Sequence, residues 1–386
     1  MTDGLGALEQ ELVEIRRDIH RHPEIAFEEN RTSDLVAGKL QAWGLEVHRG
    51  LARTGVVGTL RSGRSNRAIA LRADMDALPI HEANQFDHRS VHDGKMHACG
   101  HDGHTTMLLG AARVLAESLK FDGVVHFIFQ PAEENAGGAG VMIKDGLFDL
   151  FPAEHVYGMH NMPGISAGSF AMRPGPIMAA FDSFDITIGG QGTHAAMPHM
   201  GIDPVVVAAE VVTALQTIVS RSVNPLEGAV VSVTQFQGGN TYNVVPDAVK
   251  MGGCTRSFLP KVQDQIEQAM GRIISGIAAA HGGTFDFDYR RGYPPTINTE
   301  EGVAAAAAAA MDIVGPDNVV TDTPPLMGSE DFAFMLQERP GSYIFIGNGD
   351  GEGNCMVHNP GYDFNDQIIT TGVQYWTRLV ERELPA

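Results

Sequence analysis

The 386-residue chain predicts an α/β domain with a mostly parallel sheet flanked by helices, interrupted by an inserted α+β module. Three observations predict it. Apolar strand-like runs alternate with helical runs through residues 68–163 and again after 294, the order that builds parallel sheets. Between 181 and 293 the order changes to strand, helix, strand, strand, helix, strand. The length exceeds one ordinary domain, and a hydrophobic share of 43% suffices for packed cores.

Taken in order, residues 5–43 read as one long helix or two, ending at Gly44. "RAIALRADMDALPI" starts as a buried strand, Ala68 to Leu71, and runs into an acidic turn. "HTTMLLGAARVLAESL" is apolar at helical spacing, with Asp102 or Thr105 near its start. "GVVHFIFQPAEEN" is a strand stopped by Pro131, and "EHVYGMHNMPG" a strand stopped by Pro163. "DSFDITIGG" alternates as a half-exposed strand does. "DPVVVAAEVVTALQTIVSRS" opens a helix, with Asp203 as N-cap and Pro204 at the first helical position. "GAVVSVTQFQGG" and "DAVKMGGCTRSF" are strands, "KVQDQIEQAMGRIISGIAAAHGG" is a helix stopped by Gly282, and "TFDFDYRR" alternates again. This is the ferredoxin-like βαββαβ order, in a module of roughly 110 residues. It enters near 181 and leaves near 293, where "GYPPT" reads as a hinge, so the α/β domain comprises 1–180 and 294–386. A helix over 300–314 ended by Gly315 and Pro316, the strand "SYIFIGNG" and a helix near 366–383 complete that domain.

Charge excludes several classes of partner. Lys and Arg number 27 against 47 Asp and Glu, a formal charge of −20, which disfavours nucleic acid and anionic membranes. The N-terminal "MTDGLGALEQELVEIRRDIHRHPE" is a charged amphipathic helix without the apolar core of a signal peptide. No uninterrupted apolar run reaches the roughly 18 residues of a membrane span. Cys99, Cys254 and Cys355 make an odd count, which argues against a disulfide framework and for a cytoplasmic setting.

The chemistry gathers where strands end. "HACGHDGH" (97–104) sets Cys99 among His97, His101 and His104 just before a helix, whose N-terminus favours a thiolate able to hold a metal. The octapeptide leaves open which histidines bind. "FIFQPAEEN" places Glu133 and Glu134 beyond an apolar strand, where open α/β sheets carry ligand sites. Adjacent carboxylates repel unless their roles separate, one as ligand and one as base. "YGMHNMP" offers His160 at another strand end, "RADMDALP" offers Asp74 and Asp76, and "NCMVHNPG" offers His358 in a loop. A single zinc needs three or four ligands, and this surplus points to two ions about 3.5–4 Å apart. Sulfur, imidazole and carboxylate together suit Zn²⁺, Co²⁺, Ni²⁺ or Mn²⁺.

With these residues in view, the chain resembles the M20 metallopeptidases, and most closely their amidohydrolase branch of N-acyl-amino-acid amidohydrolases, hippurate hydrolases and auxin-conjugate hydrolases. The matching segments are "HRHPEIAFEE", "LRADMDALPI", "HACGHDGH", "FQPAEE", "GMHNMPG", "GGQGTHAAMPHMGIDP", "NVVPD", "GSEDFAFM" and "VHNP". The resemblance implies two divalent ions bridged by Cys99, with His101 and His160 completing one site and Glu134 and His358 the other. Asp74 and Asp76 would support them. It implies Glu133 as general base, and an inserted lid that makes the dimer contact, in a homodimer or homotetramer. It implies His194 reaching a partner subunit's active site, and Asn243 and Arg256 holding the substrate's carboxylate. The implied reaction is hydrolysis of a small N-acyl amino acid. A dipeptidase or carboxypeptidase on the same scaffold, or a metal-binding relative without catalysis, are the competing readings.

Overall fold

The computed structural model describes residues 2–349 and 355–386, so Asn354, at the head of the "NCMVHNPG" loop, lies outside the described residues. The chain divides into two compact units. One comprises Met1–Ile177, Ile297–Pro324 and Asp331–Ala386; the other comprises Met178–Thr296 and Pro325–Glu330. A simple insertion over 181–293 assigns Pro325–Glu330 to the first unit. It clusters instead with the second, where Ala179 N donates to Leu326 O and Gly328 O.

The first unit is built on an eight-stranded sheet. Its order is Glu46–Leu51, Gly55–Ser62, Gly123–Gln130, Ala68–Asp74, His155–Pro163, Gly341–Gly349, Phe170–Ala171 and Val319–Val320. The four central strands, from Gly123–Gln130 to Gly341–Gly349, run parallel. The hairpin Glu46–Leu51/Gly55–Ser62 and the short Phe170–Ala171 add antiparallel pairing on either side. Ala68–Asp74, Gly123–Gln130 and Gly341–Gly349 are buried throughout, which is why they read as unbroken apolar runs. On one face Ile69, Leu71, Val125, Phe127, Ile344 and Ile346 join a core with Leu12, Leu108, Val373, Trp376 and Leu379 from the helices Thr2–Arg21, His101–Ser118 and Ile369–Glu383.

Two local differences from the sequence reading have plain causes. Residues 5–43 form two helices, Thr2–Arg21 and Asn30–Ala42, because Pro23 cannot continue the first. The edge strand Glu46–Leu51 carries no continuous apolar signal, since most of it is exposed or half-exposed.

The second unit has a four-stranded sheet in the order Ala229–Gly238, Ala248–Ser257, Ala180–Gly189, Thr284–Tyr293, antiparallel throughout. With helices Pro204–Thr217 and Pro260–Ala280 this is the ferredoxin-like arrangement. Burial alternates along Ala180–Gly189, so Phe184, Ile186 and Ile188 meet Val207, Val211, Leu215, Ile266, Met270 and Ile274 of the helices. Asp203 caps the first helix by accepting from Val205 N at 2.9 Å. Pro204–Ser222 is long and apolar enough by composition to cross a membrane, but its apolar residues Val207, Val211, Leu215 and Ile218 lie in this core.

Trp376 is 1% exposed and is the largest fully buried side chain. Trp376→Ala should destabilise the first unit by about 3–5 kcal/mol, read as a lower urea midpoint; a shift under about 1 kcal/mol would place the core elsewhere.

Candidate metal centre

Parallel strands send their carboxyl ends to one edge, and here that edge collects the chemistry. Asp74 ends Ala68–Asp74, Glu133 and Glu134 follow Gly123–Gln130 across Pro131, and His160 lies near the end of His155–Pro163. Cys99 and His101 flank the start of the helix His101–Ser118. Gly100 between them has φ 92, and a Cβ there would lie 2.2 Å from Asn161 Oδ1, so only glycine makes this turn. Neither Asp102 nor Thr105 caps the helix: Asp102 turns to His20, and the Thr105 hydroxyl donates to Asp74 O at 2.7 Å.

Five of the predicted residues fall into two triads that share Cys99. Cys99, His101 and His160 form one, and Cys99, Glu134 and His358 the other, with the candidate ligand atoms of each within 4.8 Å of one another. Cys99 Sγ is 3.3 Å from His160 Nε2, and His358 Nε2 is 3.1 Å from Glu134 Oε1. The outer nitrogens are already engaged. His101 Nδ1 meets Asp76 Oδ1 at 3.3 Å and His160 Nδ1 donates to Asn161 O at 2.6 Å, which points both Nε2 atoms inward. His101 Nε2 is buried with no hydrogen-bond partner, an arrangement that is costly unless a cation meets it. The residues present therefore fit a pair of divalent cations.

His104 stands outside the two triads that share Cys99, with Asp74 Oδ1 at 2.6 Å and Asn161 Oδ1 at 2.7 Å beside its two nitrogens. His97 is buried without a partner for either nitrogen and belongs to no triad; burial pushes its pKa down to about 3. Asp76 has a second task, its two oxygens accepting from Glu133 N at 3.0 Å and Glu134 N at 2.9 Å. Asp74 is held by Arg72 at 2.7 Å as well as by His104.

The electrostatics correct one expectation. The helix N-terminus does not lower the Cys99 thiol: burial and the charges of Glu134, Glu133 and Asp74 push it well above its ordinary value. A cation must supply the thiolate, and binding then releases a proton. The same crowding acts on His101, which burial lowers but Asp74, Asp76 and Glu134 raise to about 10. Burial raises the Asp74 carboxyl, yet His101, Arg72 and His104 outweigh it and hold Asp74 well below the usual range.

His194, Asn243 and Arg256 lie in the second unit. His194 and Asn243 line one cavity of about 670 Å³ there, and both are exposed. His194 Nδ1 accepts from Ala196 N at 3.1 Å, which leaves Nε2 as its donor. Arg256 sits over the Phe181 ring at 4.3 Å and donates to Ser329 at 3.2 Å. The sequence reading missed Arg72, Gln130 and Asp331, a buried network behind the strand ends, in which Arg72 bonds Gln130 at 2.7 Å and Asp331 at 3.0 Å. Asp331 lies in the quoted "GSEDFAFM", but nothing local shows what it meets.

A second buried network backs the helix start: His20 Nδ1 lies 2.8 Å from Asp102 and Nε2 3.2 Å from Glu82. Burial lowers His20, but these carboxylates prevail and raise it from 6.5 to about 9. A raised pKa stabilises fully below pH 6.5 and is lost as pH rises through about 9. The urea midpoint should fall across that window, and His20→Gln should flatten the slope; an unchanged slope would exclude His20 as its source.

Comparison with known proteins agrees with this geometry. The model of peptidase family M20/M25/M40 matches residues 70–382. The hippurate hydrolase of Campylobacter jejuni is 40% identical over 377 residues, 98% of this chain and 97% of that protein. The N-acetyl-L-cysteine deacetylase of Bacillus subtilis is 40% identical over 370 residues, 95% of this chain and 86% of that protein. The crystal structure of a dinuclear metal-binding peptidase of the M20 family from Bacillus subtilis matches with a TM-score of 0.86 and 32% identity, covering 98% of this chain and 99% of that one. With a strand-end cluster of side chains fit for two cations and relatives alike over nearly its whole length, the chain belongs to peptidase family M20/M25/M40, in its amidohydrolase branch.

Proposed function

We propose that the protein hydrolyses the amide bond of N-acyl amino acids, giving a carboxylic acid and a free amino acid. The observation that carries this reading is the pair of triads sharing Cys99, with Glu133 adjoining the Glu134 ligand. The hippurate hydrolase and deacetylase among the relatives support the substrate class. Cys99, His101 and His160 would hold one divalent cation, and Cys99, Glu134 and His358 the other. Such a pair supplies a water of lowered pKa and a polarised amide carbonyl.

The protein's own groups then move protons and hold charge. Glu133 is 7% exposed, and Asp331 N donates to its Oε1 at 3.4 Å, which helps to orient the carboxylate. It takes a proton from the attacking water as the carbon–oxygen bond forms, and returns it to the nitrogen as the carbon–nitrogen bond breaks. His194 Nε2–H, from a second copy of the chain, stabilises the oxyanion. Arg256 binds the substrate's carboxylate with its planar fork, assisted by Asn243. The inserted module serves as lid and dimer contact, in a homodimer or a homotetramer.

Glu133→Gln should keep two metal ions per chain and lower kcat by at least about 10²–10⁴-fold; near-normal turnover would remove Glu133 from the role. His194→Ala should lower kcat about 10²–10³-fold, and mixing it with Glu133→Gln protein should restore part of the activity. Absence of rescue would place the whole site within one chain. A panel of N-acetyl, N-benzoyl and free-amine dipeptide substrates tests the bond cleaved, and preference for free amines would favour a dipeptidase.

A further inference from the structure

The helix Asn30–Ala42 begins at Glu29, where a side chain ordinarily accepts from the first free N–H groups. The Glu29 carboxylate makes no such bond. Glu24 meets that need instead, its two oxygens accepting from Arg31 N and Thr32 N, each at 2.9 Å. Glu29 is released to turn inward and is fully buried. Its Oε1 accepts from Phe27 N at 3.0 Å and from Ala132 N at 2.9 Å, and its Oε2 accepts from the Thr54 hydroxyl at 2.6 Å.

Ala132 lies 103 residues away in sequence. It holds φ 58, a left-handed conformation in which an alanine is strained. The next two residues are Glu133 and Glu134, whose amides both end on Asp76. Three consecutive N–H groups of this turn are thus held by two buried carboxylates. Burial pushes the Glu29 carboxyl up to about 7, against the pull of Thr54 and the amides, so this site is an expensive place to keep an acid.

We infer that Glu29 is a positioning residue: its bond to Ala132 N maintains the left-handed bend that aims Glu133 and Glu134 at the metal centre. The inference rests on the proposed roles of Glu133 as base and Glu134 as ligand. A carboxylate is used because it can accept from Phe27, Ala132 and Thr54 together, which no hydroxyl or single carbonyl at this position can do.

The test compares Glu29→Ala, Glu29→Gln, Ala132→Gly and the double variant Glu29→Ala/Ala132→Gly in the full chain. Two readouts are taken: zinc affinity by competition with a chelator, and kcat and KM on N-acetyl and N-benzoyl amino acids with the metal-loaded protein. Glu29→Ala should weaken zinc binding and lower kcat, each about 10–100-fold, with KM within about twofold. Glu29→Gln keeps a carbonyl for Phe27 N and Ala132 N and loses only the acceptor facing the Thr54 hydroxyl, which can accept from the amide instead, so it should stay near wild type. Glycine adopts φ 58 without strain, so Ala132→Gly should recover most of the loss in the Glu29→Ala background while changing little by itself. A merely structural role would lower the melting temperature but leave zinc affinity and kcat per folded chain unchanged, with nothing for glycine to rescue. That result, or a Glu29→Ala protein with wild-type affinity and kcat, would overturn the inference. If Glu29→Ala does not fold, Glu29→Met keeps the volume, removes both acceptors and takes its place in the same comparison. If the wild-type chain binds zinc but hydrolyses no amide, the affinity readout still tests the turn, so the two failures are distinguishable.

Discussion

Like charges are crowded at one edge of the first unit's sheet. Asp74, Asp76 and Glu133 are all buried, and Glu134 is nearly so. Arg72 neutralises only part of this charge. The raised Cys99 thiol, the raised His101 and the unmet His101 Nε2 are three signs of one deficit of positive charge. A pair of divalent cations would remove the deficit and invert the local preference, because a bound cation favours the thiolate and the neutral imidazole. Parallel strand topology makes the crowding possible, because it brings several chain segments to one edge with their carboxyl ends together.

Around that centre each group is held from behind. Asp76 orients His101 and the two glutamates, Asn161 O orients His160, and Asp74 with Asn161 claims His104. The loop bearing His358 is tied down at that residue and after it: His358 N donates to Ala98 O at 2.7 Å, and Arg16 reaches Asp363 at 2.9 Å. Buried bonds of this kind limit rotamer freedom, which a site needing its ligands within fractions of an ångström requires. In the second unit His194 and Asn243 are exposed, and His194 Nδ1 accepts from Ala196 N at 3.1 Å.

Much of this was legible in advance for a physical reason. The central strands are buried on both faces, so they appear as apolar runs, and Pro131 and Pro163 mark where they stop. Cysteine, histidine and glutamate carry their metal affinity in the residue type, so the strand-end motifs announced a metal-compatible edge before any coordinates. The edge strand Glu46–Leu51 was not legible, because a strand open to solvent has no such signature. Choosing among the histidines of "HACGHDGH" was also beyond the octapeptide: His104 is decided by Asp74 and Asn161, 30 and 57 residues away.

The amino-acid sequence by itself determined which elements form and which side chains could ligate, accept a proton or bear charge, since these properties belong to residues and their near neighbours. Only the tertiary structure decided the upward shift of the Cys99 thiol, the engagement of both His104 nitrogens and the recruitment of Glu29 away from its own helix. Those outcomes depend on burial and on charges brought in from distant segments, and both act through space rather than along the chain.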